Sequence, residues 1–170
     1  LLRGLADDLP LMDWLNHHIW PAEGAHVNRQ FCLDGARLAC AEMIRGGITT
    51  YADMYYFEDA IARETKAAGM RGVLGQTIID FPVPDAKTPA DGLVRAEEFL
   101  KRWKGDPLIR PAVAPHAIYT CSKETLQSAA ELARRYKAPL LIHVAETKRE
   151  LDDSLATHGM TPVAYLDSLG

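Results

Sequence analysis

The stretch Pro139–Thr147, with the sequence PLLIHVAET, places a histidine at the end of a short apolar run and a carboxylate three residues later. A continuous apolar run of this kind is typical of a strand that is buried on both faces. We therefore predict a strand over 139–145, with His143 near its carboxyl end. Because side chains alternate along a strand, Glu146 cannot share a face with His143 and is expected in the turn beyond it.

The rest of the chain alternates between strand patterns and helix patterns. Residues that are β-branched, aromatic or aliphatic predict further strands over 48–54, 71–79 and 109–114. Apolar residues at helical spacing predict helices over 25–45, 57–68, 90–104, 123–137 and 148–158. Such alternation implies an α/β fold in which helices cover a parallel sheet. Both a (β/α)8 barrel and an open doubly wound sheet fit this order of elements.

The composition excludes several classes of protein. Of the 170 residues, 48% are hydrophobic and 25% are charged, which is the balance of a globular protein with one sizeable core. A net charge of −4 lacks the basic footprint of a nucleic-acid binder, and no apolar run approaches the ~20 residues of a membrane span. We therefore expect neither nucleic acid nor a membrane as a partner.

The three cysteines, at positions 32, 40 and 121, are far apart and form no Cys-x-x-Cys pair. This spacing argues against a disulfide framework and against a cysteine-based zinc site. We expect buried, unpaired thiols and a cytoplasmic location. The chain opens without methionine and stops soon after a helix start at Thr161–Pro162, so we expect residues 1–170 to be an internal part of a longer domain.

Ionisable residues follow the predicted strands. In barrels the functional residues lie at the carboxyl ends of strands, where this chain has Asp53, Asp80, His116, His143 and Glu146. Each residue has a structural alternative: the histidines as hydrogen-bonded core or loop residues, the aspartates as loop caps, and Glu146 as a helix-start carboxylate. Their convergence at one rim is a stronger indication of a site than any one of them.

A separate segment near the start of the chain is rich in aromatic residues. Trp14, Trp20 and Glu23 lie close to prolines and could line a pocket for an aromatic ring. The alternative is an apolar loop that packs over the helices.

Several segments together resemble the amidohydrolase superfamily, and within it the 5-methylthioadenosine/S-adenosylhomocysteine deaminases and the related chlorohydrolases. In family order these segments are LRGLADD at 2–8, LMDWL at 11–15, WPAE at 20–23, GGITTYADM at 46–54, APHAIYTCS at 114–122 and HVAET at 143–147. The resemblance covers essentially the whole chain. It implies a metal-dependent (β/α)8 TIM barrel, of which this chain would form roughly strands two to five with their helices.

The resemblance also implies roles for individual residues. His143 would be a ligand of a single divalent metal, zinc or alternatively iron. Glu146 would contact the adenine ring and shuttle its proton, and His116 would bind substrate near the metal. Glu23 would hold the ribose hydroxyls, and Trp14 would lie against the base.

The function implied by the resemblance is hydrolytic deamination of an adenosine-type nucleoside. The substrate would be 5'-methylthioadenosine or S-adenosylhomocysteine, converted by metal-activated water to the inosine analogue and ammonia. The family's His-x-His motif and its late histidine and aspartate are not in this sequence, so we expect the isolated chain to bind metal weakly and to be inactive. Two alternatives are another amidohydrolase, such as a guanine or triazine deaminase or a chlorohydrolase, and a non-catalytic α/β module that binds a small molecule. A homo-oligomer is compatible with each of them.

Overall fold

A computed structural model describes all residues, 1–170, and contains a three-stranded parallel sheet with three of its helices packed against one face. The sheet has the order β1-β2-β3, formed by β1 (Thr50–Tyr55), β2 (Arg71–Ile78) and β3 (Ile109–Pro115). The helices are α1 (Leu11–Trp14), α2 (Trp20–His26), α3 (Arg29–Arg45), α4 (Glu58–Ala67), α5 (Pro89–Trp103), α6 (Lys123–Tyr136), α7 (Lys148–His158) and α8 (Pro162–Ser168). A π-helical turn, Leu15–Ile19, joins α1 to α2.

The strand order and the placement of the helices fit one part of a barrel. Consecutive strands are neighbours and run parallel, with α4 connecting β1 to β2 and α5 connecting β2 to β3. Leu74 of β2 packs with α4 and α5, and Ile78 on the same face packs with α5 and α6. A complete doubly wound sheet carries helices on both faces, and the direction in which successive strands are added reverses at one point in the sheet.

The predicted strand over 139–145 is only partly correct. The segment lies beside β3 in a parallel direction but forms two isolated bridges, Val113 with Leu140 and Ala117 with His143. It is therefore an extended connection at the edge of the sheet and not a regular fourth strand.

Two prolines in β3 explain why the backbone pairing between β3 and residues 139–145 does not continue. Val113 donates its N–H to the carbonyl of Pro139 at 3.0 Å and accepts from the N–H of Leu141 at 2.9 Å. Pro111 and Pro115 are the next residues of β3 that face the same side, and proline has no N–H to donate. The regular pairing therefore cannot continue in either direction from Val113.

The N-terminal segment is helical, in contrast to the apolar loop that the sequence allowed. The helix predicted from residue 25 begins at Arg29, because Asn28 is extended and its side chain caps the helix by accepting from the Phe31 N–H at 3.0 Å. Pro21 lies in the first turn of α2, where a missing N–H is tolerated. This segment places Trp14 on α1 and Glu23 on α2, where the Glu23 carboxylate meets the Tyr55 hydroxyl of β1.

All three cysteines are free and buried, as their spacing predicted. No helix in the structure has the length and apolar character needed to cross a membrane.

Candidate functional site

Two histidines meet where β3 ends. The N–H of His143 donates to the carbonyl of His116 at 2.9 Å, and the ring centroids lie 5.0 Å apart with nearly perpendicular planes. The Nδ1 of His116 lies 2.9 Å from the hydroxyl of Thr120, which fixes the ring. Burial, together with the neighbouring His143, lowers the pKa of His116 to about 4. His116 is therefore a neutral imidazole at pH 7.

The carboxylate of Glu146 lies in the turn beyond this pair, as the alternation along a strand predicted. The hydroxyl of Tyr119 donates to its Oε2 at 2.9 Å. The same Tyr119 ring stands edge-on to His116, with centroids 5.9 Å apart. Burial and the contact with Glu146 raise the pKa of Tyr119, so its hydroxyl stays protonated and remains a donor. Tyr119 thus connects Glu146 to the histidine pair.

Trp14 and Glu146 line the same pocket, which has a volume of about 390 Å³. The indole Nε1 of Trp14 donates to the carbonyl of Leu5 at 2.8 Å, which orients the ring. The N-terminal segment and the 143–147 turn are far apart in sequence, and the fold brings them together here. The pocket combines an aromatic face with a carboxylate.

Glu23 lies in a second and mostly apolar pocket of about 520 Å³ that Trp14 also lines. Its side chain is only 8% exposed and accepts a hydrogen bond from the hydroxyl of Tyr55 at 2.8 Å. Burial raises the pKa of Glu23, and the Tyr55 hydrogen bond partly opposes that shift. Tyr55 therefore fixes a buried carboxylate next to the Trp14 pocket.

The two aspartates do not belong to this rim. Asp53 lies within β1, on the face that packs against the helices, because it shares that face with Tyr51 and Tyr55. The expectation that all the strand ends present ionisable groups to one rim is therefore wrong for Asp53. Asp80 follows β2 as predicted, and its carboxylate accepts from the Ser122 N–H at 2.7 Å, which is the structural role of a loop cap.

The position of Asp53 predicts a pH-dependent stability. Burial raises its pKa from 3.8 to about 6, so the folded protein retains a proton that the unfolded chain releases between these values. Its stability contribution is complete below about pH 4 and is lost as the pH rises through 6. We expect Asp53→Asn to increase the free energy of unfolding by about 3 kcal/mol at pH 7 and to leave it unchanged at pH 3.

Denaturant unfolding at several pH values measures this difference. Asp167→Asn is a matched control, because Asp167 is exposed and its side chain makes no hydrogen bond or ion pair. If the free energy of unfolding changes with pH in the same way in Asp53→Asn and in the unmodified protein, the raised pKa of Asp53 is contradicted.

The residues of this chain can supply one ligand of a metal site, but not a complete set of ligands. No group of three or more His, Cys, Asp and Glu side chains in the chain could hold a metal ion by itself. A catalytic zinc takes three protein ligands, and a neutral imidazole with a free nitrogen is a suitable one. His143 is exposed and its ring makes no hydrogen bond, so it can supply one such ligand.

The sequence alone did not indicate Tyr55, Tyr119 or Glu150. The two tyrosines hold the carboxylates of Glu23 and Glu146, and Glu150 accepts a hydrogen bond from the backbone N–H of Glu146 at 2.7 Å. Glu150 could have been found from the Thr-x-x-Glu pattern at 147–150, which is typical of a helix start. The two tyrosines act through contacts between distant segments, for which the sequence carries no local signal.

Comparisons with known proteins agree with this architecture. A sequence model of the amidohydrolase family matches residues 1–170. The chain is 49% identical over 170 residues to a 5-methylthioadenosine/S-adenosylhomocysteine deaminase of Thermodesulfovibrio yellowstonii, and spans 39% of its length. It is 44% identical over 170 residues to a 5'-deoxyadenosine deaminase of Methanothrix thermoacetophila, and again spans 39%.

Solved structures support the barrel. An adenosine deaminase from Xanthomonas campestris with bound zinc superposes with a TM-score of 0.95 at 45% identity, over 99% of this chain and 38% of that one. A guanine deaminase from C. acetobutylicum shares the fold, with a TM-score of 0.85 at 21% identity over 98% of this chain and 42% of that one. The α/β fold is thus confirmed as part of a (β/α)8 barrel.

Proposed function

Because the chain belongs to the amidohydrolase family, we propose that residues 1–170 are an internal part of a barrel domain that deaminates an adenosine-type nucleoside. The substrate is 5'-methylthioadenosine or S-adenosylhomocysteine, and the products are the inosine analogue and ammonia. The chain spans 39% of the length of its deaminase relatives, so this activity is proposed for the full-length protein. The pocket shared by Trp14 and Glu146 is the observation that carries the proposal.

Trp14 and Glu146 have different roles in this proposal. Trp14 offers an indole face to a purine ring, since aromatic rings stack with favourable energy. Glu146 has one oxygen held by Tyr119, which leaves the other free to take a proton and return it at a ring nitrogen. Both tasks need the base to lie between Trp14 and Glu146.

Glu23 and His116 complete the proposed substrate site. Glu23 is fixed by Tyr55 in the second pocket that Trp14 lines, where its carboxylate can accept hydrogen bonds from the two ribose hydroxyls. His116, as a neutral imidazole beside His143, binds the nucleoside next to the metal.

We further propose that His143 is a ligand of one divalent metal, zinc or iron. The zinc in the related crystal structure and the free imidazole of His143 support this assignment. When bound, such a metal supplies hydroxide at neutral pH by lowering the pKa of its water to about 7. The buried, unpaired cysteines support a cytoplasmic location for the protein.

An assay of the full-length protein tests the proposal. Adenosine, 5'-methylthioadenosine and S-adenosylhomocysteine are each incubated with the metal-loaded protein, and ammonia release is measured. We expect faster release from one of the 5'-thio nucleosides than from adenosine. Inactivity on all three would overturn the proposal and leave another amidohydrolase or a non-catalytic module.

The isolated 170-residue chain should release no ammonia in the same assay. Its one candidate ligand, His143, falls short of the three that a catalytic zinc takes. Measurable turnover by the purified chain would contradict this expectation.

Glu23 discriminates against the alternative amidohydrolase substrates. A guanine or triazine substrate has no ribose, so the buried carboxylate of Glu23 in the second pocket would have no hydroxyl to bind. In the nucleoside proposal, by contrast, it has two partners. Including guanine and a triazine in the assay separates these substrates directly.

A further inference from the structure

The backbone that carries Glu146 is held in an uncommon conformation. Ala145 has φ +55°, in the left-handed region that residues with a Cβ rarely adopt. His143 and Glu146 would lie on opposite faces of a continued strand. The turn at Ala145 ends the extended segment before Glu146, so the orientation of Glu146 depends on this conformation.

A buried carboxylate holds this turn. The Oε1 of Glu150 accepts from the N–H of Ala145 at 3.0 Å, and its Oε2 accepts from the N–H of Glu146 at 2.7 Å. The Glu150 side chain is 7% exposed, so water does not compete freely for these bonds. Both oxygens of one carboxylate are thus used on two successive amides of the site turn.

Ordinary helix capping does not account for this arrangement. In a capping box the third helical residue returns its carboxylate to the amide of the N-cap residue. Helix α5 has that arrangement: Asp91 accepts from the N–H of Thr88 at 3.1 Å, and Thr88 accepts from the N–H of Asp91 at 3.1 Å. In α7 the carboxylate of Glu150 instead reaches past the N-cap residue, Thr147, to the two amides before it.

We propose that Glu150 is a positioning residue of the site, which holds the left-handed turn at Ala145 so that Glu146 is presented beside His143. The inference rests on the proposed function for its consequence in catalysis. Glu150 touches neither substrate nor metal in this role and acts only through the backbone of the turn.

The test uses the full-length protein and three variants. Glu150→Gln keeps the side-chain length but turns an NH2 group toward an amide N–H, so we expect kcat to fall about 10²-fold with KM changed less than about threefold. Adding Ala145→Gly should recover about tenfold of this loss, because glycine adopts a positive φ without the steric cost. Asp91→Asn, which disturbs the ordinary capping box of α5, is the matched control and should leave kcat unchanged.

Amide hydrogen exchange gives a readout that does not depend on activity. The N–H groups of Ala145 and Glu146 should exchange faster in Glu150→Gln and at the normal rate in Asp91→Asn. If Glu150→Gln does not fold, Glu150→Asp replaces it, since the shorter side chain cannot reach both amides.

The outcomes separate the two proposals. A folded Glu150 variant with kcat within threefold of the unmodified enzyme, or a double variant without recovery, would overturn the positioning role. If the unmodified protein deaminates no nucleoside, the proposed function fails, and the exchange rates alone decide whether Glu150 holds the turn.

Discussion

Glu146→Gln should lower the kcat of nucleoside deamination by the full-length protein about 10³-fold, since a positioned proton-transfer group contributes 10²–10⁴-fold. Glutamine preserves the shape of the side chain and can still accept from the Tyr119 hydroxyl, which now donates at 2.9 Å. What it loses is the ability to take up a proton and return it. The defect should therefore appear in kcat, measured by ammonia release at saturating substrate, with a much smaller change in KM.

The matched control for this variant is Glu131→Gln. Glu131 is an exposed carboxylate of α6 that makes no hydrogen bond or ion pair and lines neither of the two pockets described above, and its replacement changes the net charge equally. We expect its kcat to equal that of the unmodified enzyme. A Glu146→Gln enzyme that retains a tenth or more of the normal kcat would remove Glu146 from the proton transfer.

The elements that local sequence determines were predicted well. Helix α4 was expected over 57–68 and spans Glu58–Ala67, and α5 was expected over 90–104 and spans Pro89–Trp103. Their limits follow from apolar periodicity and from caps a few residues away, such as Thr88 at the start of α5. Apolar periodicity and helix caps are local features of one element, so they can be identified from the sequence.

The errors arise where a distant segment decides the local structure. The apolar run after Pro139 has a strand pattern, but its ladder ends because the neighbouring Pro111 and Pro115 have no N–H. Asp53 lies near a strand end in the sequence, but the register of β1 turns it toward the helices. Neither the end of the strand pairing nor the face on which Asp53 lies can be predicted from the local sequence, because neighbouring strands determine both.

The candidate site shows the same division. Spacing alone left His143 and Glu146 open between functional and structural roles, and their proximity to His116, Tyr119 and Trp14 is a property of the fold. The left-handed turn at Ala145 could not be predicted, because alanine is not a residue that favours it. It persists through contacts that the surrounding structure provides.

His143→Ala should remove the metal from the full-length protein and with it all measurable deamination. The loss of one of the few protein ligands of a catalytic metal is expected to weaken metal binding by more than about 10²-fold, since even outer contacts of such ligands are worth 10–100-fold. Metal content after dialysis, measured by elemental analysis, is the primary readout. Activity with 5'-methylthioadenosine is the second.

The structure makes this variant informative, because His143 contributes little to folding. Its side chain is exposed and makes no hydrogen bond, so we expect a change in unfolding free energy within about 0.5 kcal/mol. His17→Ala, at another exposed histidine, controls for the loss of an imidazole and should keep both metal and activity. A His143→Ala protein that retains its metal but loses activity would assign His143 to substrate contact, because its position beside His116 would then matter without ligation.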